Sequence, residues 1–382
     1  MSGKRRSAAL ALAGPLVAAA MVAGCGSAPV ASTAPPTVPV APPPLATSFA
    51  NGTGPGWAIV EMGGAATQEN NFWELFTRSP GSAAWRLATP LGVADNGGLV
   101  VTGTGGESLL TGFVPSQDLT FSPLAASANS GASWASASPV NPGLAGVPDA
   151  LAADPDGHLI ALTSSGAELG QPLGTSWTHL SSSRALAATP AGKACGVAGL
   201  TAVAFDSAGV PMLAASCDHP GVAGIFTDNG GWHAAGPAMP ASLARQNIEV
   251  LRLAAAGTGL VALLRAGTGS AASITAAWYD GGKWTISPPL RAPAPRSTAI
   301  GPGGSVGVLL NATRAETLAG PGASWHPLPA LPKWAATLAL GPTGQVDAIA
   351  AHGGTFTDWR LAPTGWSSAQ TIHVTIPYGS SG

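Results

Sequence analysis

Ser127-Ala128-Asn129-Ser130-Gly131-Ala132-Ser133-Trp134 decides the reading of this chain. It is a run of small turn-forming residues with one glycine, closed by a tryptophan. The same arrangement recurs. Gly174-Thr175-Ser176 precedes Trp177, Gly322-Ala323-Ser324 precedes Trp325, Asp228-Asn229-Gly230-Gly231 precedes Trp232 and Asp280-Gly281-Gly282-Lys283 precedes Trp284. Trp85 and Trp366 complete the set, and the intervals from Trp85 onward are 49, 43, 55, 52, 41 and 41 residues. Self-similarity at such a period marks a repeat architecture.

A second landmark alternates with the first. Turn residues followed by a short apolar run occur at Asn96-Gly97-Gly98-Leu99-Val100-Val101, Asp156-Gly157-His158-Leu159-Ile160 and Ser207-Ala208-Gly209-Val210. They recur at Gly257-Thr258-Gly259-Leu260-Val261, Gly303-Gly304-Ser305-Val306 and Thr343-Gly344-Gln345-Val346, with Gly54-Pro55-Gly56-Trp57 as the first of the series. Glycine-rich turns between short apolar runs are hairpin signals. Two hairpin turns per period give four antiparallel strands. The earlier turn joins the inner strand to the second, and the later turn joins the third to the fourth, which begins at the Trp. The expected fold is therefore all-β: a β-propeller of seven four-stranded blades, whose tryptophans fill the wedges between neighbours. Helical repeats of similar period are disfavoured by Gly and Pro within the units.

The Ser127–Trp134 stretch resembles the Asp-box (BNR repeat), S-x-D-x-G-x-x-W, of sialidase-like propellers. Ser127, Gly131 and Trp134 match, while Asn129 stands where Asp is usual; its side chain makes the same turn bonds. Most other repeats keep only Gly and Trp. The resemblance implies a structural turn away from the active face, not sialidase activity. That family's catalytic set does not map onto this chain. Tyr279 and Tyr378 are the only tyrosines, Arg252, Arg265, Arg291 and Arg296 form the only loose arginine group, and no Phe/Tyr-Arg-Ile-Pro motif occurs. A glycoside hydrolase needs a pair of placed carboxylates. Glu61, Glu74, Glu107, Glu168, Glu249 and Glu316 are available, without a spacing that selects two of them.

Upstream of the repeats, Lys4, Arg5 and Arg6 precede an apolar run from Ala8 to Met21 and then Val22-Ala23-Gly24-Cys25. Basic, apolar and small residues in that order form an export signal. The tetrapeptide resembles the bacterial lipobox, which implies cleavage before Cys25 and lipidation of its thiol. Residues 1–24 are thus expected to be a signal peptide. Residues 25–46, with seven prolines from Pro29 to Pro44, are expected to be a disordered spacer. At ~3.1 Å per residue it reaches up to about 60 Å. The propeller is expected over 47–378, with 379–382 as a disordered tail. Thr371–Pro377 alternates like a strand, either lengthening the last strand of blade seven or completing blade one.

Removing Cys25 leaves Cys195 and Cys217, an even pair flanking a predicted hairpin in an exported chain, so a disulfide is expected. No CxxC or HxH spacing points to a metal. Asp154-Pro155-Asp156-Gly157 reads as a tight turn rather than a calcium loop. The seven histidines are dispersed, Gly103-Thr104-Gly105-Gly106 lacks the Lys-Ser/Thr of a phosphate loop, and no cofactor is expected. Asp358-Trp359-Arg360 reads as a strand with a rim-facing pair.

Charged residues make up 9% of the chain, for a formal net charge of −2, and no basic stripe appears along the sequence, which argues against nucleic acid. Abundant Ala and Gly fit a GC-rich, actinobacterial-type coding sequence. The resulting expectation is a monomeric domain held to the outer face of the cell membrane by lipid, binding a protein, glycan or cell-wall component without catalysis. The alternative is a divergent sialidase-like glycoside hydrolase.

Overall fold

The computed structural model describes residues 55–374, apart from 64–70, 95–97, 117–122, 137–143, 145, 171–175, 257–258 and 342–343. The expected signal peptide, Cys25, the expected spacer, Tyr378 and the expected tail lie outside the described residues.

Seven separate antiparallel sheets follow one another along the chain. Blade 1 has β1 (Gly56–Gly63), β2 (Asn71–Arg78) and β3 (Arg86–Leu87), three strands among the described residues. Blade 2 runs through β4 (Val100–Gly105), β5 (Ser108–Gly112), β6 (Leu124–Ser127) and β7 (Ala135–Ser136). Blade 3 comprises β8 (Ala150–Ala153), β9 (Leu159–Thr163), β10 (Gly166–Gly170) and β11 (Thr178–Ser181). A pair of short helices, α1 (Ser183–Ala188) and α2 (Pro190–Cys195), leads into blade 4: β12 (Val197–Phe205), β13 (Pro211–Cys217), β14 (Gly224–Asp228) and β15 (Trp232–Ala234). Blade 5 has β16 (Ile248–Ala256), β17 (Gly259–Ala266), β18 (Ser273–Asp280) and β19 (Lys283–Ile286), with β20 (Leu290–Arg291) also pairing with β18. Blade 6 is β21 (Ser297–Ile300), β22 (Val306–Leu309), β23 (Ala315–Leu318) and β24 (His326–Pro327). Blade 7 is β25 (Ala335–Leu340), β26 (Val346–His352), β27 (Thr355–Ala362) and β28 (Gly365–His373). The expected seven-bladed, four-stranded propeller is the fold.

The sandwiching of blades explains the sequence of their second strands. In β17, Leu260, Ala262 and Leu264 pack toward blade 4, while Val261 and Leu263 pack toward blade 6. A strand covered on both faces loses the polar/apolar alternation and reads as a continuous apolar run. The apolar stretch Leu253–Leu264 falls in such a place, the hairpin β16–β17. Burying each such Val or Leu contributes about 1.5–3 kcal/mol. No helix among the described residues is long and apolar enough to cross a membrane.

Every landmark Trp lies at or next to the start of an outermost strand, and each ring packs in the cluster shared with the preceding blade. Four of the indoles also reach across that boundary with a hydrogen bond. Nε1 of Trp134 donates to Ala88 O at 2.6 Å, that of Trp284 to Ala235 O at 2.7 Å, that of Trp325 to Pro288 O at 2.8 Å and that of Trp366 to Pro329 O at 3.4 Å. Each acceptor lies three or four residues beyond the preceding blade's own Trp, so one contact repeats around the ring.

The Ser127–Trp134 turn is closed by its own side chains. Ser127 Oγ accepts from the backbone N–H of Asn129 and Gly131, and Asn129 Oδ1 accepts from Ser133 N at 2.9 Å. Gly131 has φ +83°, and a Cβ there would meet Ala88 and Thr77 of blade 1 at 3.0–3.2 Å. The earlier landmarks join first to second strands in blades 3 to 7. The first landmark opens β1 at Gly56, with no strand before it among the described residues, and in blade 2 the expectation fails. The turn ending at Gly98 leads into the inner strand β4, and the link to β5 is Gly106-Glu107. Leu99, just before β4, and Val101 within it are buried at 4% and 8%, and Gly105 and Gly106 supply the positive φ that the tight turn needs. Residues 371–373 lengthen β28 in blade 7; the rest of the proposed closing segment past Val374 lies outside the described residues.

The two helices were not foreseen, though their signals are present. Ser182 and Thr189 cap them through hydroxyl bonds to Ala185 N and Gly192 N, Pro190 opens α2, and Gly196 ends it at φ +68°. Cys195 at the end of α2 is joined to Cys217 at the end of β13 by a disulfide, with Cα atoms 5.0 Å apart.

Candidate functional site

The inner strands enclose a cavity of about 190 Å³ on the axis side of blades 1 to 5. Its wall is formed by Trp57 and Ile59 of β1, Trp73 of β2, Leu99 to Gly103 along β4, Asp149 to Ala153 along β8, Thr201 to Phe205 of β12 and Leu251 to Ala255 of β16. Apart from Trp73, the first strands supply the wall because each blade presents its first strand to the axis. The wall is apolar because those strands also form the blade cores.

Two charged side chains line this wall among the described residues: Asp149, just before β8, and Arg252, at the register shift in β16. Arg252 Nη1 donates to Thr298 O at 3.2 Å, and burial pushes its guanidinium down to about 10, so it stays cationic at neutral pH. Burial raises the Asp149 carboxyl above the ordinary aspartate value. Aromatic surface, one cation and one anion around a partly enclosed space suit capture of a small group with an apolar body and polar ends.

The six glutamates weighed from sequence are dispersed, and none lines the cavity. Glu74 accepts from the Thr89 hydroxyl and is raised by burial. Glu107 accepts from Ser130 Oγ at 3.2 Å, Glu168 faces His179 Nδ1 at 2.9 Å, and Glu249 and Glu316 pair with Arg265 and Arg314 at 3.8 and 3.6 Å. Glu61 lies on β1 beside Met62. Tyr279 packs at a tilt against Trp284 in the blade 4–5 core, with ring centroids 5.0 Å apart. Asp154 spends its carboxylate on the backbone N–H and Nδ1 of His158, both at 2.8 Å, which is a turn function.

A second concentration of charge lies where blade 7 meets blade 1. The expected rim-facing pair Asp358–Arg360 is not at the rim: Asp358 is fully buried. Asp347, also fully buried, accepts from Arg78 Nη1 of β2 at 2.9 Å, from Gln345 Nε2 at 2.8 and 3.0 Å, and from Arg360 Nε at 3.4 Å. Arg360 Nη2 is 3.7 Å from Asp358. Burial pushes Asp358 up to about 7, with Asp347 adding to the rise and Arg78, Arg360 and the Trp85 indole opposing it. Strand alternation predicts an outward side chain at such a position; the neighbouring blade covers it instead. Nothing local in the sequence signals that pairing, since Arg78 and Asp347 are 269 residues apart.

No family model matches the chain. No curated protein matches it either. Solved structures do share its fold. A protein from Lactobacillus plantarum superposes with a TM-score of 0.50 at 13% identity, covering 84% of this chain and 97% of its own. YCF48 from Cyanidioschyzon merolae gives 0.47 at 12% identity, over 81% and 94%, and virginiamycin B lyase from Staphylococcus aureus gives 0.45 at 11%, over 83% and 91%. At such identities the likeness is one of fold.

Proposed function

We propose that this chain is an exported lipoprotein, cut before and acylated on Cys25, whose propeller is a non-enzymatic binding module on the outer face of the cell membrane. Its ligand, a cell-wall, glycan or protein group, enters the axial cavity. The observation that supports binding over hydrolysis is the charge content of the cavity wall: Asp149 is its one carboxylate and Arg252 its one arginine among the described residues. Glycoside hydrolysis needs two carboxyl groups about 5–9.5 Å apart. The Val22-Ala23-Gly24-Cys25 motif and the proline-rich spacer support the anchoring.

The test combines a glycan and peptidoglycan-fragment array with a fluorogenic glycoside panel. Saturable binding weakened by Arg252→Ala and Asp149→Ala, without turnover, is the expected result. Turnover abolished by Asp149→Asn would overturn the binding-only reading. Incorporation of labelled palmitate that disappears in Cys25→Ser tests the anchor.

A further inference from the structure

The chain runs outward through each antiparallel blade. First-to-second and third-to-fourth turns therefore share one face of the ring, and second-to-third turns and blade-to-blade links share the other. This topology sorts charge that is scattered in the sequence. On the link face, from the connection into blade 5 round to the connection into blade 7, stand Arg245, Arg265, Arg291, Arg296, Arg314 and Lys333. All but the partly covered Arg265 are exposed. The carboxylates of the same arc are Glu249 and Glu316.

Backbone and side-chain bonds knit this arc together. Arg265 Nη2 donates to Pro293 O and Arg291 Nε to Ser270 O, both at 3.2 Å, which ties the second-to-third turn of blade 5 to the link beyond it. Arg296 N donates to Leu309 O at 2.8 Å, Leu310 N to Arg314 O at 2.9 Å and Leu331 N to Thr313 O at 3.3 Å. The cations thus stand on a braced surface. The opposite face has the reverse sign: Glu107, Asp156 and Asp206 sit in its turns and Asp228 and Asp280 at strand ends beside them, against Arg86, Lys283 and the half-buried Arg360.

We propose that the link face of blades 5 to 7 docks on an anionic phospholipid surface. This orients the ring with its acidic turn face outward. The partner is a membrane rather than a soluble polyanion because the spacer keeps the domain within about 60 Å of the bilayer at ~3.1 Å per residue. This inference rests on the anchoring reading. A tethered domain needs only weak attraction, since the tether supplies the effective concentration. Juxtamembrane basic residues attract such surfaces additively, and the attraction is screened by salt.

The chain from residue 25 carrying Cys25→Ser has no acyl group, so its vesicle affinity reports the face alone, whatever becomes of Cys25 in cells. Sedimentation with vesicles of phosphatidylglycerol and phosphatidylcholine, against phosphatidylcholine alone, should show binding only to the anionic vesicles at low salt. About 0.5 M NaCl should abolish it, because the screening length then falls below ~5 Å. Arg291→Gln with Arg296→Gln should weaken it about 25-fold, roughly fivefold per charge removed. Asp228→Asn with Asp280→Asn, on the other face, should not weaken it. Arg291, Asp228 and Asp280 stand at the ends of β20, β14 and β18 and Arg296 in a link, so circular dichroism and thermal melts verify that both double variants fold. Equal retention on both vesicle types, an unaffected arginine variant, or binding to soluble polyphosphate without retention on anionic vesicles would overturn the proposal.

Discussion

The junction between blades 4 and 5 and the junction between blades 7 and 1 perform the same task by different chemistry. At the first, the Trp284 indole donates to Ala235 O and apolar side chains from both blades fill the wedge. At the second, Trp85 keeps its place in the wedge, but Arg78 bonds buried Asp347 across the boundary. Gln370 brackets the Trp85 backbone, accepting from its N–H at 2.6 Å and donating to its carbonyl at 2.8 Å. Phe76 and Phe356 stack with centroids 3.9 Å apart. Neighbouring blades elsewhere follow one another directly along the chain, with α1 and α2 between blades 3 and 4. Blades 7 and 1 do not, and among the described residues they exchange no strand. A charged, directional lock stands where the covalent connection is missing.

The largest effect should come from breaking the lock on one side. Arg78→Ala leaves Asp347 buried beside fewer cations and should cost about 3–5 kcal/mol in denaturant unfolding, because an uncompensated buried charge is far worse than none. If that loss stays below about 1 kcal/mol, the seam is held by its aromatic contacts instead. A smaller effect is expected in blade 4, where a covalent bond does the work. Cys195→Ser with Cys217→Ser opens a loop of sequence separation 22 and should cost about 3 kcal/mol. Equal stability of oxidised and reduced protein would contradict it.

Next comes pH. A carboxyl whose native value is raised binds its proton more tightly in the folded state, so stability falls as pH climbs from the unfolded value toward about 7. Asp358 should therefore subtract about 2 kcal/mol between pH 5 and pH 7, and Asp358→Asn should flatten that part of the profile. Parallel pH profiles for the two proteins would show that Asp358 stays ionised. The smallest effect belongs to the repeated contact: Trp284→Phe keeps the ring in the wedge and loses one hydrogen bond, for about 1 kcal/mol. If this loss matched that of Arg78→Ala, the contrast between the two junctions would collapse.

The same contrast explains what could be read in the sequence. A repeated junction writes its Trp and its turn at a regular interval, so Trp85 through Trp366 disclosed seven blades, and Cys195 and Cys217 disclosed their bond. The closing junction occurs once. Asp358 and Arg360 looked like an exposed strand pair because strand alternation is local, whereas their burial depends on β2, nearly 300 residues away. Blade 2 was misread at Asn96–Gly98 because one glycine turn looks like another until the strand on each side is known. The axial cavity escaped for a related reason. Asp149 and Arg252 come from blades 3 and 5, and no spacing rule links them. The helices α1 and α2 lay behind an all-β pattern despite their caps, since six residues are too few to show a helical period.

The indole-to-carbonyl contact has a further consequence. Each one locates a blade against its predecessor alone, so the ring keeps no count of its blades. The number seven is enforced at one place, where the last blade must present Asp347 and Gln370 to Arg78 and Trp85 of the first. A chain lengthened by one intact repeat would satisfy every internal boundary and be refused, or accepted with a wider axis, only at that seam.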